Sequence, residues 1–309
     1  MQTGVSIGAG LVLGFALDRM LGDPRRGHPV AVFGSAASAL ESVLYADRRR
    51  AGVGYELLSV GPVVGAAILL RRGGVVAVAA ATWTVLGGRS LTRVGHAMAD
   101  RLAAGDVAGA RELLPSLCGR DPEALDADGL ARAALESIAE NTSDAAVAPL
   151  VWGAVAGVPG LLGYRAINTL DAMVGYHNAR YRRFGWAAAR TDDLANLIPA
   201  RITGLLTAAM APLVGGRPMD AMRAWRRDAG RHPSPNAGVV EAATAGALGV
   251  RLGGRTEYRH GAEQRPILGS GGPPTVADLR RAVRLSESVQ VAAVALTAVA
   301  AWAVRRGRS

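Results

Sequence analysis

The sequence predicts an all-α protein, a polytopic membrane helical bundle with a broken or re-entrant segment and helical polar connections. Three observations lead there. Of the 309 residues, 50% are apolar and only 19% are charged, with a mean hydropathy of +0.20, which is apolar and charge-poor for a soluble protein of this length. Six stretches approach the about twenty apolar residues that a bilayer core asks of a helix. One of the six is too rich in helix breakers to be a plain crossing.

The six stretches run from Met1 to Leu17, Val53 to Leu70, Val75 to Leu86, Ala145 to Tyr164, Leu194 to Gly216 and Ser288 to Val304. The first carries no charge, lacks a basic start and is followed by Asp18, Arg19 and Asp23, so it reads as a retained membrane helix rather than a cleaved export signal. Small residues at four-residue spacing, Gly10 with Gly14, Gly61 with Gly65 and Gly153 with Gly157, would let helices approach closely. Ala145 to Tyr164 contains Pro149, Gly153, Gly157, Pro159, Gly160 and Gly163. A full crossing there would leave the polar motifs on either side facing opposite compartments. A broken pair of half-helices, tolerated where protein or a watery cavity covers the freed backbone, brings them to one face.

Residues 1–309 therefore read as a single integral membrane domain, in which 89–144 and 217–287 are polar connecting regions. The first of these looks helical, with a Gly-Arg-Asp-Pro stop at Gly119 to Pro122. In the second, the Gly- and Pro-rich stretch from Gly253 to Pro274 is expected to be an exposed, mobile loop. Basic clusters at Arg48 to Arg50 and Arg305 to Arg308 point to cytoplasmic ends of a multi-pass protein in the cell membrane.

The net charge of +10 comes from arginine alone, since the sequence has no lysine. The arginines are scattered among apolar runs rather than gathered on one face, which argues against nucleic acid as a partner. Without lysine there is no Walker-type phosphate loop and no Schiff base. The five histidines show no paired zinc spacing, and there is no Gly-x-Ser-x-Gly elbow. The single cysteine, Cys118, excludes an intrachain disulfide and reads as a buried small hydrophobe.

Polar information is densest from Glu136 to Thr203, which contains an internal echo. Residues 141–147 read NTSDAAV and residues 168–174 read NTLDAMV, so five of seven positions agree. Each copy sets an amide and a carboxylate three residues apart on one helix face. Asn141 and Asn168 could cap helices, with Asp144 and Asp171 in the first turn; capping explains one copy well, but two copies flanking a breaker-rich apolar segment favour a shared polar site. With Glu136, Glu140, Asp192 and Asp193 the region holds an oxygen-rich set that suits Mg2+, which takes one or two carboxylates and leaves the rest to water and phosphate. Arg165, Arg180, Arg182, Arg183, Arg190 and Arg201 supply anion-binding charge. Arg201 lies inside an apolar run, where an arginine needs a partner; Asp192 or Asp193 is the nearest in sequence. His28 and His232 each precede proline, as site residues or as turn residues.

The run from Glu136 to Thr203 resembles the central block of the CobD/CbiB family of cobalamin biosynthesis. The resemblance extends to DRMLGDPRRGHPV at Asp18 to Val30, GRSL at Gly88 to Leu91 and SPNAGVVEAATAGALGVRLGG at Ser234 to Gly254. It implies an integral membrane ligase that uses ATP to join (R)-1-amino-2-propanol phosphate, or the free aminopropanol, to the corrinoid adenosylcobyric acid, giving adenosylcobinamide phosphate on the cytoplasmic side. On that reading Asp144 and Asp171, with Asp192 and Asp193, would hold Mg2+. Asn141 and Asn168 would orient phosphate or the acids, and Glu140 would accept the proton of the attacking amine. Arg165, Arg180 and Arg201, with His232 and Asn236, would bind phosphate and substrate. A Mg2+-dependent prenyl-type transferase is a rival, but would want a second acid where Ala148 and Gly175 stand. A membrane transporter would also accommodate broken helices and an intramembrane arginine.

Overall fold

A computed structural model describes residues 4–24, 27–258 and 261–306. In chain order the helices are α1 (Gly4–Leu21), α2 (Pro29–Leu44), α3 (Arg49–Leu70), α4 (Gly74–Val85), α5 (Gly88–Ala103), α6 (Val107–Leu113) and α7 (Ala127–Thr142). They continue with α8 (Ala148–Ala156), α9 (Val158–Val174), α10 (Tyr181–Phe184), α11 (Trp186–Met210), α12 (Pro218–Asp228) and α13 (Ala237–Leu248). The hairpin of β1 (Leu252–Tyr258) and β2 (Gly261–Leu268) precedes the last helix, α14 (Val276–Arg306). Among the described residues four segments are long and apolar enough to cross a membrane: Gly4–Leu21, Arg49–Ala103, Trp186–Val214 and Val276–Ala303. The basic residue Arg308, part of the expected cytoplasmic cluster, lies outside the described residues.

The chain divides into two compact units, one of residues 1–87, 144–196 and 293–309, the other of 88–143 and 197–292. In the first, α1 lies on α4 at a distance only glycine permits: a Cβ at Gly10 would stand 2.5 Å from Cβ of Val78, and one at Gly14 2.4 Å from Cβ of Thr82. That is the close approach expected of the Gly10 and Gly14 pair. At Gly61 and Gly65, at the same spacing on α3, an added Cβ would meet no atom within 4 Å among the described residues, so their small size serves no close contact there.

The breaker-rich segment divides where expected. Gly157 adopts φ 67° and ψ −140°, a conformation side chains avoid, and separates α8 from α9. The two half-helices fold back on each other: a Cβ at Gly160 would come 2.0 Å from the Trp152 carbonyl oxygen, and Ala148 packs with Tyr164, Ala195, Trp152 and Ile167. The Trp152 indole donates to the Ala195 carbonyl at 2.9 Å, which ties this hairpin to α11. A single π-helical turn, Ser143–Val147, joins α7 to α8. Such turns re-aim side chains within a helix and are frequent at functional sites.

In the second unit α13 is apolar on nearly every face and buried along its length, as a helix without a polar stripe must be. A Cβ at Gly246 would meet the Asp220 carbonyl oxygen of α12 at 2.4 Å. Gly95 of α5 is packed as closely, 2.7 Å from Val283 and 2.8 Å from Ile138 on the same measure. The stretch expected as a mobile loop is instead the antiparallel β1–β2 hairpin, with Thr256 paired to Glu263 and Gly254 to Arg265. Leu252, Thr256 and Leu268 are buried. Pro266 is tolerated because a two-stranded ribbon consists of edge strands. Cys118 is a free, half-buried thiol, less enclosed than expected.

Candidate functional site

The α8–α9 hairpin sets the geometry of the first unit's polar site. Asp144 lies in the π-helical turn before α8, and Asn168 lies about three turns into the returning helix α9. Folding the hairpin places Asn168 Nδ2 3.5 Å from Asp144 Oδ2 and 3.2 Å from Asp192 Oδ1 of α11. One amide thus faces two carboxylates. Asn196, one turn beyond Asp192 on α11, donates to Asp192 Oδ2 at 3.0 Å. The Tyr164 hydroxyl donates to Asn196 Oδ1 at 2.9 Å and approaches the Asp144 carbonyl at 3.3 Å. Arg165 Nη1 reaches Asn168 Oδ1 at 3.5 Å, and its charge is felt by Asp144 and by Asp23, at the end of α1. Three elements thus hold a compact set of carboxylate oxygens, amides, a phenol and a guanidinium.

Neither asparagine of the echo is a helix cap. Asn141 sits in the last turn of α7 and donates back to the Ser137 carbonyl at 3.0 Å, while Asn168 is well inside α9. The capping reading fails because the chain is already helical ahead of each motif. Asp171 lies one turn beyond Asn168, with Oδ1 over Gly175, where a Cβ would come 1.9 Å from it. Asp193 points to Arg190 at 3.3 Å, so the adjacent acids differ: Asp192 joins the asparagines and Asp193 an exposed arginine. Arg180 pairs with Glu41 at 3.0 Å and lies 4.2 Å from the Tyr45 ring centroid. Among the described residues no three His, Cys, Asp or Glu side chains gather as a metal cage.

The remaining candidates lie in the second unit. Arg201 donates to Asn236 Oδ1 at 2.9 Å and to the Leu197 carbonyl at 3.0 Å. An amide and a backbone oxygen therefore take the place in which the sequence reading put Asp192 or Asp193. Glu140 and His232 border a buried ionic cluster that the sequence reading missed. Arg120 of the α6–α7 connection pairs with Glu136 of α7, both deeply buried. The other Glu136 oxygen accepts the Gly253 backbone N–H at 2.7 Å. Arg265 of β2 stands 3.9 Å from Glu136 and 3.6 Å from Glu241 of α13.

Burial shifts the ionisation in this cluster. Glu241 is pushed up to about 8, first by desolvation, against the attraction of Arg265. Glu140 is raised for the same reason, with Arg265 and Arg120 opposing. His232 is pushed down to about 4 by desolvation and then by the nearby Arg265 charge. The 2.6 Å contact from Arg265 Nη2 to His232 Nε2 makes that nitrogen an acceptor. The other ring nitrogen, Nδ1, lies against the Ser234 backbone, 3.1 Å from its N–H and 3.2 Å from its carbonyl.

Sequence had signals for some of the missed residues. Asn196 follows Asp192 by one helical turn, and Asp23 belongs to the polar motif after the first helix. In the ionic cluster Glu136, Glu140 and His232 were candidates singly, but nothing in the sequence joined them to Arg120, Glu241 and Arg265, which come from segments far apart in the chain.

The family described as CobD/Cbib protein matches residues 11–286. A protein of Mycobacterium tuberculosis (strain CDC 1551 / Oshkosh), called cobalamin biosynthesis protein CobD, is 60% identical over 292 residues, 93% of each chain. Proteins of the same name from Geobacter metallireducens and Rhodobacter capsulatus are 44% and 43% identical, covering 94% and 91% of this chain and 96% and 93% of theirs. No solved structure matches. With the family match spanning nearly the whole sequence and relatives aligned over more than nine-tenths of both chains, the chain belongs to the CobD/CbiB family of cobalamin biosynthesis proteins.

Proposed function

We propose that this protein forms the amide bond between (R)-1-amino-2-propanol phosphate and the adenosylcobyric acid carboxylate, at the expense of ATP. The observation that carries the reading is the meeting of Asp144, Asn168, Asp192 and Arg165 through the α8–α9 hairpin. A carboxylate is a poor acylating agent until its oxygen is phosphorylated. In the proposed sequence a corrinoid carboxylate oxygen attacks the γ-phosphorus of ATP and ADP leaves. The amine nitrogen then attacks the acyl carbon, phosphate departs, and the amine gives up a proton to a base.

The residues present fit this chemistry. Asp144 and Asp192 offer the hard oxygen donors that Mg2+ takes in ones and twos, leaving its other positions to phosphate. Mg2+ bound there would neutralise phosphate charge during transfer. Asn168 holds the two carboxylates in register, and Asn196 with Tyr164 fixes the Asp192 side of that arrangement. Arg165 contributes a positive charge that remains in place as negative charge develops on the transferred group, stabilisation of the preorganised kind. On this reading the reaction takes place on the cytoplasmic side, because ATP is available there.

The test is turnover by the purified protein in detergent. ATP-dependent conversion of adenosylcobyric acid and aminopropanol phosphate to the amide, lost in Asp144→Ala with the protein still inserted in the membrane, is the expected result. Turnover of a prenyl diphosphate, or flux of a solute without any turnover, would overturn it, as would full activity in Asp144→Ala and Asp192→Ala.

A further inference from the structure

The connection from α1 to α2 in the first unit carries a carboxylate and an imidazole, Asp23 and His28, and two hydrogen bonds seat it beside the polar site. The Trp83 indole of α4 donates to the Gly22 carbonyl at 3.0 Å. Four residues on, the Gly87 backbone N–H donates to the Ala145 carbonyl at 3.0 Å, next to Asp144. The end of α4 thus holds Gly22 on one side and the π-helical turn on the other. Beyond the connection, α2 joins α9 in one apolar cluster of Phe33, Ala37, Leu170, Met173 and Val174. Arg165 of α9 attracts Asp23 as it does Asp144.

His28 caps α2, its Nδ1 accepting the Val30 N–H at 3.2 Å. A ring nitrogen that accepts carries no proton, so the neutral imidazole bears its proton on Nε2. That nitrogen is enclosed, has no hydrogen-bond partner among the described residues, and stands 3.8 Å from Asp23 Oδ1, just beyond hydrogen-bond length. An enclosed donor left unmade is costly, and a small approach of the carboxylate satisfies it. Asp23 itself is 33% exposed and so open to a substrate. Other acids of this unit are engaged: Glu41 and Asp193 pair with Arg180 and Arg190, and Asn168 bridges Asp144 and Asp192.

Amide formation needs a base for the amine proton. Glu140, which the sequence suggested for it, lies among Arg265, Arg120 and Glu136, and burial favours its protonated form, which takes no proton. We propose that Asp23 is the base that receives the proton of the attacking amine, with His28 as the residue that positions it. An ammonium loses two protons on becoming an amide N–H. The first goes to water as the free amine forms, beside a carboxylate that attracts the cation. The nitrogen then bonds to the acyl carbon, phosphate leaves with the electron pair of the C–O bond, and the second proton passes to one Asp23 oxygen. The His28 Nε2–H holds the other oxygen. This assignment rests on the amide-forming reaction proposed above.

The experiment separates the two halves of the reaction in the full-length protein in detergent, supplied with ATP and adenosylcobyric acid. Aminopropanol phosphate gives the amide. Hydroxylamine, a nucleophile already unprotonated at neutral pH, intercepts the acyl phosphate as a hydroxamate without help from a base. Asp23→Asn is expected to lower amide formation by about 100-fold, the lower end of general-base effects, and to leave hydroxamate formation within about twofold of the parent. His28→Asn keeps a side chain able to cap the Val30 N–H but has no Nε2–H. It should lower amide formation by about tenfold, the scale of one charge-assisted hydrogen bond, with melting temperature and hydroxamate formation unchanged. Loss of both products together in Asp23→Asn would assign Asp23 to holding Arg165 and overturn the proposal. Unchanged amide formation in Asp23→Asn, or a selective loss of amide in Glu140→Gln instead, would do the same. Neither product from the parent protein would remove the amide-forming reaction itself, and the base with it.

Discussion

Arg265 Nη2 lies 2.6 Å from His232 Nε2, so the imidazole accepts a hydrogen bond from a permanently charged donor and is held neutral. The same guanidinium faces Glu241, which burial holds in its protonated form up to about 8. The two groups give opposite pH dependences. His232, lowered from 6.5 to about 4, contributes stability that is present above 6.5 and lost as pH falls through about 4. Glu241, raised from 4.5 to about 8, contributes stability that is present below 4.5 and lost as pH rises through about 8. Thermal stability should therefore be level between about 4.5 and 6.5, where the two slopes cancel, and fall towards 4 on the acid side and towards 8 on the alkaline side, with Glu140 adding to the alkaline fall. Glu241→Gln should flatten the alkaline limb and His232→Asn the acid limb, measured as melting temperature against pH in detergent.

Arg120 and Glu136 form the most enclosed arginine–carboxylate pair among the described residues, with side-chain exposures of 5% and 2%. Removing one partner from such a pair leaves a buried charge without compensation and costs about 3–5 kcal/mol, whereas replacing both by apolar groups of similar volume is often near neutral. Arg120→Ala should be strongly destabilising, and Arg120→Met with Glu136→Leu less so than either single change. Glu136 also accepts the Gly253 N–H, so proteolysis of the β1–β2 hairpin should accelerate in the same order.

The glycines separate what sequence spacing can say from what it cannot. Gly14→Val would drive a side chain into Thr82 and the Ala79 carbonyl, which stands 2.5 Å from where its Cβ would be, and should lower the melting temperature sharply. Gly61→Val, at a site with no neighbour within 4 Å, should leave it unchanged. Gly157→Ala should cost about 1–3 kcal/mol from backbone strain at its positive φ. Melting temperatures of the three variants in one detergent give the ranking.

These glycines show why the bundle was legible and parts of the packing were not. Apolar length and breaker density are local properties, so the helices of the spanning segments and the break at Gly157 could be read directly. Whether a small-residue stripe meets a partner depends on another helix, and Gly61 has the same local pattern as Gly10 with the opposite outcome. The hairpin was misread because its glycines and prolines signal a loop, while what holds it, Arg265 among carboxylates of α7 and α13, is non-local. At the site, the echoed Asn-Thr-x-Asp motifs marked Asp144 and Asn168. Tyr164 looked like any aromatic in an apolar segment until the hairpin turned it towards Asn196.

Asp192 and Asp193 are neighbours of the same chemistry, and their different partners make them a discriminating test of the proposed site. Asp192 is held by Asn168 at 3.2 Å and Asn196 at 3.0 Å, whereas Asp193 pairs with an arginine that is 64% exposed. If carboxylates fixed by amides carry the phosphate chemistry, Asp192→Asn should cut amide formation by about 100-fold or more, the scale of losing a preorganised electrostatic group. Asp193→Asn breaks an exposed ion pair worth at most about 1 kcal/mol, so its rate should stay within about tenfold of the parent. Asn168→Leu should resemble Asp192→Asn in rate and also lower the melting temperature, because Asp144 and Asp192 then face each other without the amide between them. Steady-state rates with corrinoid, aminopropanol phosphate and ATP saturating give the order. Equal losses at Asp192 and Asp193 would show that the amide network does not select the reacting carboxylate.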